Sequence, residues 1–439
     1  MTQCARKRSF PPKTAQNKGY EKLTVSILGA GHRGADVYGQ AMARFPKRFE
    51  VVSLCDLHQS KLDKYGAILN VPEERRFLND NEFFKERRSD VIVIATQDQD
   101  HVRHALKAIE LGYDILLEKP ISGKSEELYR LMDAANAKKT VILVCHVLRY
   151  APAVLKLKEL LDAKKIGRII SIESIEKVGY WHYCHSFDRG NWRNSNETSP
   201  MILQKCCHDF DLLQWFAASK CETLSSVGDL TFFKPENKPA DATERCLDCP
   251  HKETCPFSTI NLYIKRWHME GDKQKWPYNV ITDKTISEES LKEAMRNTRY
   301  GECVFNGHNN VVDHQEVLLQ FENGITATHS MMAFTADGGR LYSFYGIEGE
   351  LIWDEQKEEI RLMRFGEREI VIDTKALGSQ TSGHGGGDDM IVKSFYDAVV
   401  SKGKDASTLI NKSIESHLIA IKAEESRLEG GVRLKVHRD

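Results

Sequence analysis

The feature that most restricts the fold of this 439-residue chain is an apolar strand that runs straight into a glycine turn and then a helix: LTVSILGAGHRG, closing on Gly29–Gly34. A lone GxGxxG is a weak signal, but here it sits between a strand and a helix start, where each glycine has a task. Gly29 permits the tight turn, Gly31 lets the backbone approach a pyrophosphate, and Gly34 lets helix and strand pack closely. His32 and Arg33 fill the turn at a helix N-terminus, whose free N–H groups and dipole attract phosphate charge. The next strand ends in Asp56. An acid there accepts hydrogen bonds from adenosine ribose hydroxyls and repels a 2′-phosphate, so NAD is favoured over NADP.

The alternation continues. Strand patterns at 49–56, 89–96, 113–120 and 140–146 are separated by helical patterns at 60–69, 101–112 and 125–139. SDVIVIAT is apolar throughout, as a strand buried on both faces requires. Such repetition predicts a parallel, doubly wound sheet with right-handed crossovers. The pattern changes near Arg149. Strand patterns at 168–178, 311–321, 325–334, 339–347, 358–365 and 368–374 follow, and ENG between the second and third is a hairpin signal. The expected fold class is therefore α/β: an N-terminal Rossmann doubly wound parallel sheet, then a C-terminal α+β domain with an open, mostly antiparallel sheet. The expected boundaries are a disordered lead-in at 1–21, a Rossmann domain at 22–147 and an α+β domain at 148–439. A charged, cysteine-bearing insertion occupies about 235–300.

A net charge of −1 and a pI near 7 give no electrostatic case for nucleic acid or a membrane surface. No apolar run is long enough to span a bilayer. The basic N-terminal stretch lacks the apolar core of a secretory signal. The 11 cysteines are scattered and odd in number, so reduced thiols and a cytoplasmic location are expected.

At ATQDQDH (Ala95–His101), LLEKPIS (Leu116–Ser122), CCHDFD (Cys206–Asp211) and the closing SH…AEESR, the chain resembles the Gfo/Idh/MocA family of NAD(P)-dependent oxidoreductases. The resemblance implies an active site between the two domains and a subunit that assembles as a homodimer or homotetramer. It assigns Thr96 and His101 to the cofactor side, Glu118 to the nicotinamide ribose and Lys119 to the reacting carbinol, with Pro120 cis. The chemistry agrees: a lysine at the carboxyl end of a sheet strand can donate to a substrate oxygen and stabilise developing alkoxide charge.

On the helical stretch MILQKCCHDFDLLQWF, Leu203, Cys206, Phe210, Leu213 and Ala217 share one side, which reads as core. Gln204, Lys205, His208 and Asp211 share the other. One straight helix cannot easily bring both cysteines and the histidine to a single metal. The resemblance makes His208 the proton-transfer group, which suits an imidazole. The family usually carries an aspartate four residues before it. Here that position is Gln204, with Lys205 and Asp211 as nearby substitutes. Arg149, Tyr150, His182, Arg189 and Trp192 are the further substrate candidates, offering aromatic faces and polar forks for a sugar ring. His384, in the glycine run Gly383–Asp388, is placed either in the pocket or in a helix-capping turn.

Cys246, Cys249 and Cys255 have C-x2-C-x5-C spacing, which suits a structural zinc with His251, His268 or Cys303 as fourth ligand. The function expected is NAD-dependent hydride transfer at a secondary hydroxyl of a sugar, polyol or glycoside. Two alternatives stand beside it: a glycosidase that oxidises its substrate transiently and eliminates the aglycone, and a non-enzymatic dinucleotide sensor.

Overall fold

The structure is a computed structural model and describes residues 22–271, 273–378, 384–404 and 406–437. The expected lead-in at 1–21 lies outside the described residues, as does Gly383.

The chain forms two compact units. The first holds a six-stranded sheet of β1 (Leu23–Leu28), β2 (Phe49–Cys55), β3 (Arg76–Phe77), β4 (Val91–Ile94), β5 (Asp114–Leu117) and β6 (Ile142–Val144), in the order β3-β2-β1-β4-β5-β6. Every pairing is parallel. The four residues of β4 and of β5 are all buried, because helices cover both faces. β1 has β2 on one side and β4 on the other, so the direction of winding reverses there. The crevice at the carboxyl ends of β1 and β4 is where a sheet of this kind takes its ligand.

This unit also includes the described part of 381–414. The helix Gly387–Val400 packs on the helix Gln40–Ala43, and its Ile391, Val392 and Phe395 join Val25, Ile27, Tyr38 and Leu116 in one core. The expected boundaries placed this segment in the second domain. An apolar helix face in the sequence does not say which sheet it will cover.

The second unit is a nine-stranded mixed sheet. Its strands are β7 (Ile169–Lys177), β8 (Cys221–Asp229), β9 (His314–Phe321), β10 (Thr326–Met332), β11 (Gly339–Gly346), β12 (Gly349–Asp354), β13 (Glu359–Arg364), β14 (Ile370–Asp373) and β15 (Leu434–Lys435). They run in the order β14-β13-β12-β11-β7-β10-β9-β8-β15. Only β7 and β10 pair in parallel. Burial alternates along β9, with Val317, Leu319 and Phe321 inside and Leu318 exposed, so one face is covered and the other open. The helix Met201–Ala217 packs on β7 and β10. The sequence patterns did not separate β8 or β12 from their surroundings.

Residues 230–313 leave the sheet between β8 and β9 and form short helices; the expected insertion at about 235–300 falls within this span. The ten cysteines among the described residues are all free. Among those residues no helix is long and apolar enough to cross a membrane.

Candidate functional site

In the first unit, sterics dictate the glycine turn. Gly29 has φ +92°, and a Cβ there would lie 2.4 Å from the Ala95 carbonyl oxygen. A Cβ on Gly34 would lie 2.0 Å from the Gly29 oxygen and press on Ile27 of β1. A Cβ on Gly31 would meet nothing within 4 Å, so its open side can admit a ligand. The helix then begins with a π-helical turn, His32–Gly39, in which the Asp36 amide reaches the Gly31 carbonyl. His32 Nδ1 lies 3.1 Å from Asp36.

Arg33 turns inward. Its Nε donates to Glu118 at 2.7 Å, its NH2 donates to Asp388 at 2.9 Å, and the same group contacts the Tyr38 hydroxyl. Tyr38 also donates to Glu118, at 2.6 Å, and the Lys119 amide donates to the other Glu118 oxygen at 2.9 Å. Burial alone would raise the Glu118 pKa, but the charges of Arg33 and Lys119 outweigh it and hold the carboxyl below its usual value. Glu118 is thus a junction between the glycine-turn helix and the EKP turn. The Lys119–Pro120 peptide is cis. Lys119 itself is half-buried, just past the end of β5.

His101 joins two neighbouring loops: Nδ1 lies 2.7 Å from the Pro120 carbonyl and Nε2 lies 3.1 Å from the Thr96 carbonyl. Thr96 Oγ1 faces His104 Nδ1 at 3.1 Å, and Arg103 donates to His104 Nε2 at 3.0 Å. An imidazole that accepts from a guanidinium at Nε2 carries its proton on Nδ1, so His104 is neutral. Burial first, and the Arg103 charge second, push its pKa down to about 4. Asp56 follows β2, accepts from the His58 amide at 3.0 Å and lies 3.8 Å from Lys61.

Two substrate candidates are committed inside this unit. Arg149 is buried and donates to the Ser407 carbonyl, and the Tyr150 hydroxyl meets Thr408 at 2.9 Å. His384 meets Asp388 at 3.2 Å, just before the helix Gly387–Val400. One residue the sequence reading passed over, His146, is fully buried just past β6. Burial, then Arg149 and Lys119, push its pKa well below the ordinary value. Its only signal in the sequence is its place at the end of a sheet strand.

In the second unit, the helix Met201–Ala217 is buried on both sides. Gln204, Cys207, His208 and Asp211 are as enclosed as Leu203 and Cys206. Lys205 is the partly open member and forms an ion pair with Glu176 at 2.9 Å. Glu176 also meets Arg340 at 2.7 Å, and Arg340 Nε donates to Asp209 at 2.8 Å. Tyr342 donates to Asp209 as well, at 3.0 Å. Burial would raise the Asp209 pKa, but Arg340 holds it below its usual value, while burial keeps Glu176 above its own. Asp209, the sequence neighbour of His208, is thus a carboxylate anchored by Arg340 and Tyr342, and the helix arithmetic had not singled it out.

Among the described residues, Cys206, Asp209 and His329 form the one group of three such ligand atoms within 4.8 Å of one another. Asp209 already binds a guanidinium and a phenol, and Arg340 would repel a cation there.

His182 lies in an aromatic nest with Trp181, Trp276 and Phe187, and Trp192 stands 6.0 Å from Phe187. Arg189 is fully buried, and its bonds go to the carbonyls of Glu302 and Phe257 and to the Cys246 sulfur. That arrangement ties it to the cysteine insertion and leaves it no open face for a sugar. Cys246, Cys249 and Cys255 line a common cavity there.

Residues 23–146 match the model of an oxidoreductase family with an NAD-binding Rossmann fold, Gfo/Idh/MocA, and residues 154–255 match a Gfo/Idh/MocA C-terminal domain. YteT of Bacillus subtilis is 24% identical over 373 residues, which cover 81% of this chain and 84% of YteT. Inositol 2-dehydrogenase 2 of Saccharopolyspora erythraea is 22% identical over 205 residues, 46% of this chain and 56% of that protein. Among solved structures, levoglucosan dehydrogenase in complex with NADH and levoglucosan superposes with a TM-score of 0.69 at 15% identity, covering 95% of this chain and 100% of that one. An oxidoreductase of Agrobacterium radiobacter, in complex with NAD+, L-tartaric acid and magnesium, gives 0.68 at 13% identity, covering 94% and 98%. The chain belongs to the Gfo/Idh/MocA oxidoreductase family.

Proposed function

We propose that this member of the Gfo/Idh/MocA family is an NAD-dependent dehydrogenase acting on a secondary hydroxyl of a sugar, polyol or glycoside. The observation that carries the reading is the Glu118 junction. It ties the glycine turn, with its open Gly31, to the turn that presents Lys119 at the carboxyl edge of the sheet. A dinucleotide laid along Gly29–Gly34 fits the steric gap at Gly31, and Asp56 stands past β2 to receive its ribose hydroxyls. When bound, NAD supplies the hydride acceptor.

In this reading Lys119 donates to the carbinol oxygen and His208 takes its proton. His182 and Trp192 are proposed as sugar-facing groups, as are Gln204 and Lys205 on the His208 helix. The sugar and polyol dehydrogenases among the relatives favour this substrate class.

A second reading, transient oxidation followed by elimination of an aglycone, is favoured by Gln204, which stands where an aspartate is usual. One assay separates the two. The purified chain is given NAD and a panel of sugars, polyols and nitrophenyl glycosides, and both NADH and nitrophenol are followed. Net NADH on an unactivated polyol supports the dehydrogenase, and nitrophenol release without net NADH supports the elimination. Tight NAD binding with neither product would leave a dinucleotide sensor.

A further inference from the structure

The excursion between β8 and β9 contains a second candidate site in the second unit. Four cysteines from two separate stretches, Cys246, Cys249, Cys255 and Cys303, line one cavity of about 290 Å³. The antiparallel pairing of Arg245 with Glu302 and the Cys303 amide bond to the Glu244 carbonyl put Cys246 and Cys303 diagonally on the same face of the two stretches. Turns then wind Cys249 and Cys255 round the same space: the Cys249 amide bonds the Cys246 carbonyl at 3.3 Å and the Cys255 amide bonds His251 at 2.8 Å. Of the three residues the sequence offered as fourth partner, Cys303 completes an all-sulfur set, and His268 does not line the cavity.

Arg189 lines the same cavity and is an independent sign of what belongs there. It is fully buried, its NH2 is 3.6 Å from the Cys246 sulfur, and its NH1 makes no hydrogen bond. Its hydrogen-bond partners are two carbonyls and a sulfur. The neighbouring buried Asp188 carboxyl feels its charge, but burial pushes that carboxyl's pKa up to about 8, so it is a weak counter-ion at neutral pH. A buried cation needs an anion, and neutral thiols are not one. Four thiolates around a metal centre carry a net charge of about −2, which Arg189 would offset.

We propose that Cys246, Cys249, Cys255 and Cys303 bind a thiophilic metal centre, a zinc ion or an iron–sulfur cluster, which fastens the two stretches of the excursion with Arg189 as its counter-charge. Binding converts four thiols to thiolates and releases their protons to solvent. The sulfur spacing bears on which centre it is. No three of these sulfurs lie within 4.8 Å of one another. A single zinc, bonded at about 2.3 Å to each sulfur, would draw them closer. A four-iron cluster is held by the same four-cysteine set across a wider span. Neither centre takes part in the proposed hydride transfer.

The test uses the full chain, purified anaerobically without added metal or a metal-binding tag, and measures zinc, iron and acid-labile sulfide. The expected result is about one zinc, or about four irons with about four sulfides, per chain. Cys303→Ser should lower that content at least severalfold, while Cys145→Ser, in the first unit, should leave it unchanged. If Cys303→Ser fails to fold, the wild-type chain stripped of metal and reloaded with Co2+ should show thiolate-to-cobalt charge-transfer absorption. Folded wild-type protein with no zinc or iron and no such absorption overturns the proposal. Full metal content in folded Cys303→Ser overturns the four-cysteine assignment. NAD binding is independent of both outcomes.

Discussion

The Arg33 guanidinium reaches across 85 residues of sequence to hold Glu118, with Nε 2.7 Å from Oε1. The same side chain meets Asp388, so one cation satisfies two buried carboxylates. Arg33→Met strands both of them. Removing one partner of a buried pair costs about 3–5 kcal/mol. Glu118→Gln keeps an acceptor in place and should cost about 1–3 kcal/mol. Urea unfolding of the two variants should rank them in that order, and an Arg33→Met chain as stable as the wild type would refute the junction.

The three glycines of the turn should separate under alanine substitution. Gly31→Ala meets no protein atom within 4 Å and should fold normally, yet lose NAD affinity at least tenfold. Gly34→Ala drives a methyl into the Gly29 carbonyl and should yield little folded protein. Calorimetric NAD titration and thermal melts read the two effects apart. Undiminished NAD binding by Gly31→Ala would remove the pyrophosphate from this turn.

Lys119→Met should leave NAD affinity intact while kcat falls by about 10²-fold or more, the scale of losing one donor to a developing oxyanion. NAD binding and steady-state turnover on the best substrate of the panel measure the two quantities. Unchanged turnover removes Lys119 from the chemistry.

His208 and Asp209 are sequence neighbours with opposite expected signatures. Loss of proton transfer in His208→Asn should slow turnover about 10²–10⁴-fold at nearly unchanged stability. Asp209→Ala removes the acceptor of Arg340 Nε and of the Tyr342 hydroxyl while Glu176 still faces Arg340, and should cost about 1–3 kcal/mol. Denaturant midpoints and initial rates on the same two preparations decide between these roles.

His104 makes stability depend on pH. Its folded pKa lies near 4, against an ordinary 6.5. Between those values the unfolded chain binds a proton that the folded chain refuses, so stability rises with pH across that window and falls as pH drops from 6.5 toward 4. His185, lowered to about 3, and His329, lowered to about 4, act with the same sign. The test is therefore a difference: His104→Gln should flatten the slope by up to about 3 kcal/mol over the window relative to wild type. Parallel pH profiles for the two proteins would contradict it.

The glycine turn was legible because its constraints are local and steric. Strand, turn and helix start all lie within a dozen residues, and each Cβ either collides or does not. The Met201–Ala217 helix was read less well for the complementary reason. Helical periodicity finds one apolar face, but it cannot see that Gln204, His208 and Asp211 are buried as well, or that Arg340 and Tyr342 of β11 hold Asp209. Arg149 and Arg189 read as substrate forks because a sequence shows their charge; the carbonyls that accept hydrogen bonds from them are visible only in the structure. Cys303 stood among three candidates until the fold brought it to the cavity that Cys246, Cys249 and Cys255 line.

The Glu118 junction has a consequence for ligand binding. One oxygen of its carboxylate is fixed by the helix that follows the glycine turn, and the other by the amide of Lys119. A ligand that stiffens the first contact lowers the entropy still to be lost when the second is fixed. Such coupling is reciprocal, so each ligand should tighten the other's hold. Titrations should then show each ligand lowering the other's Kd by the same factor.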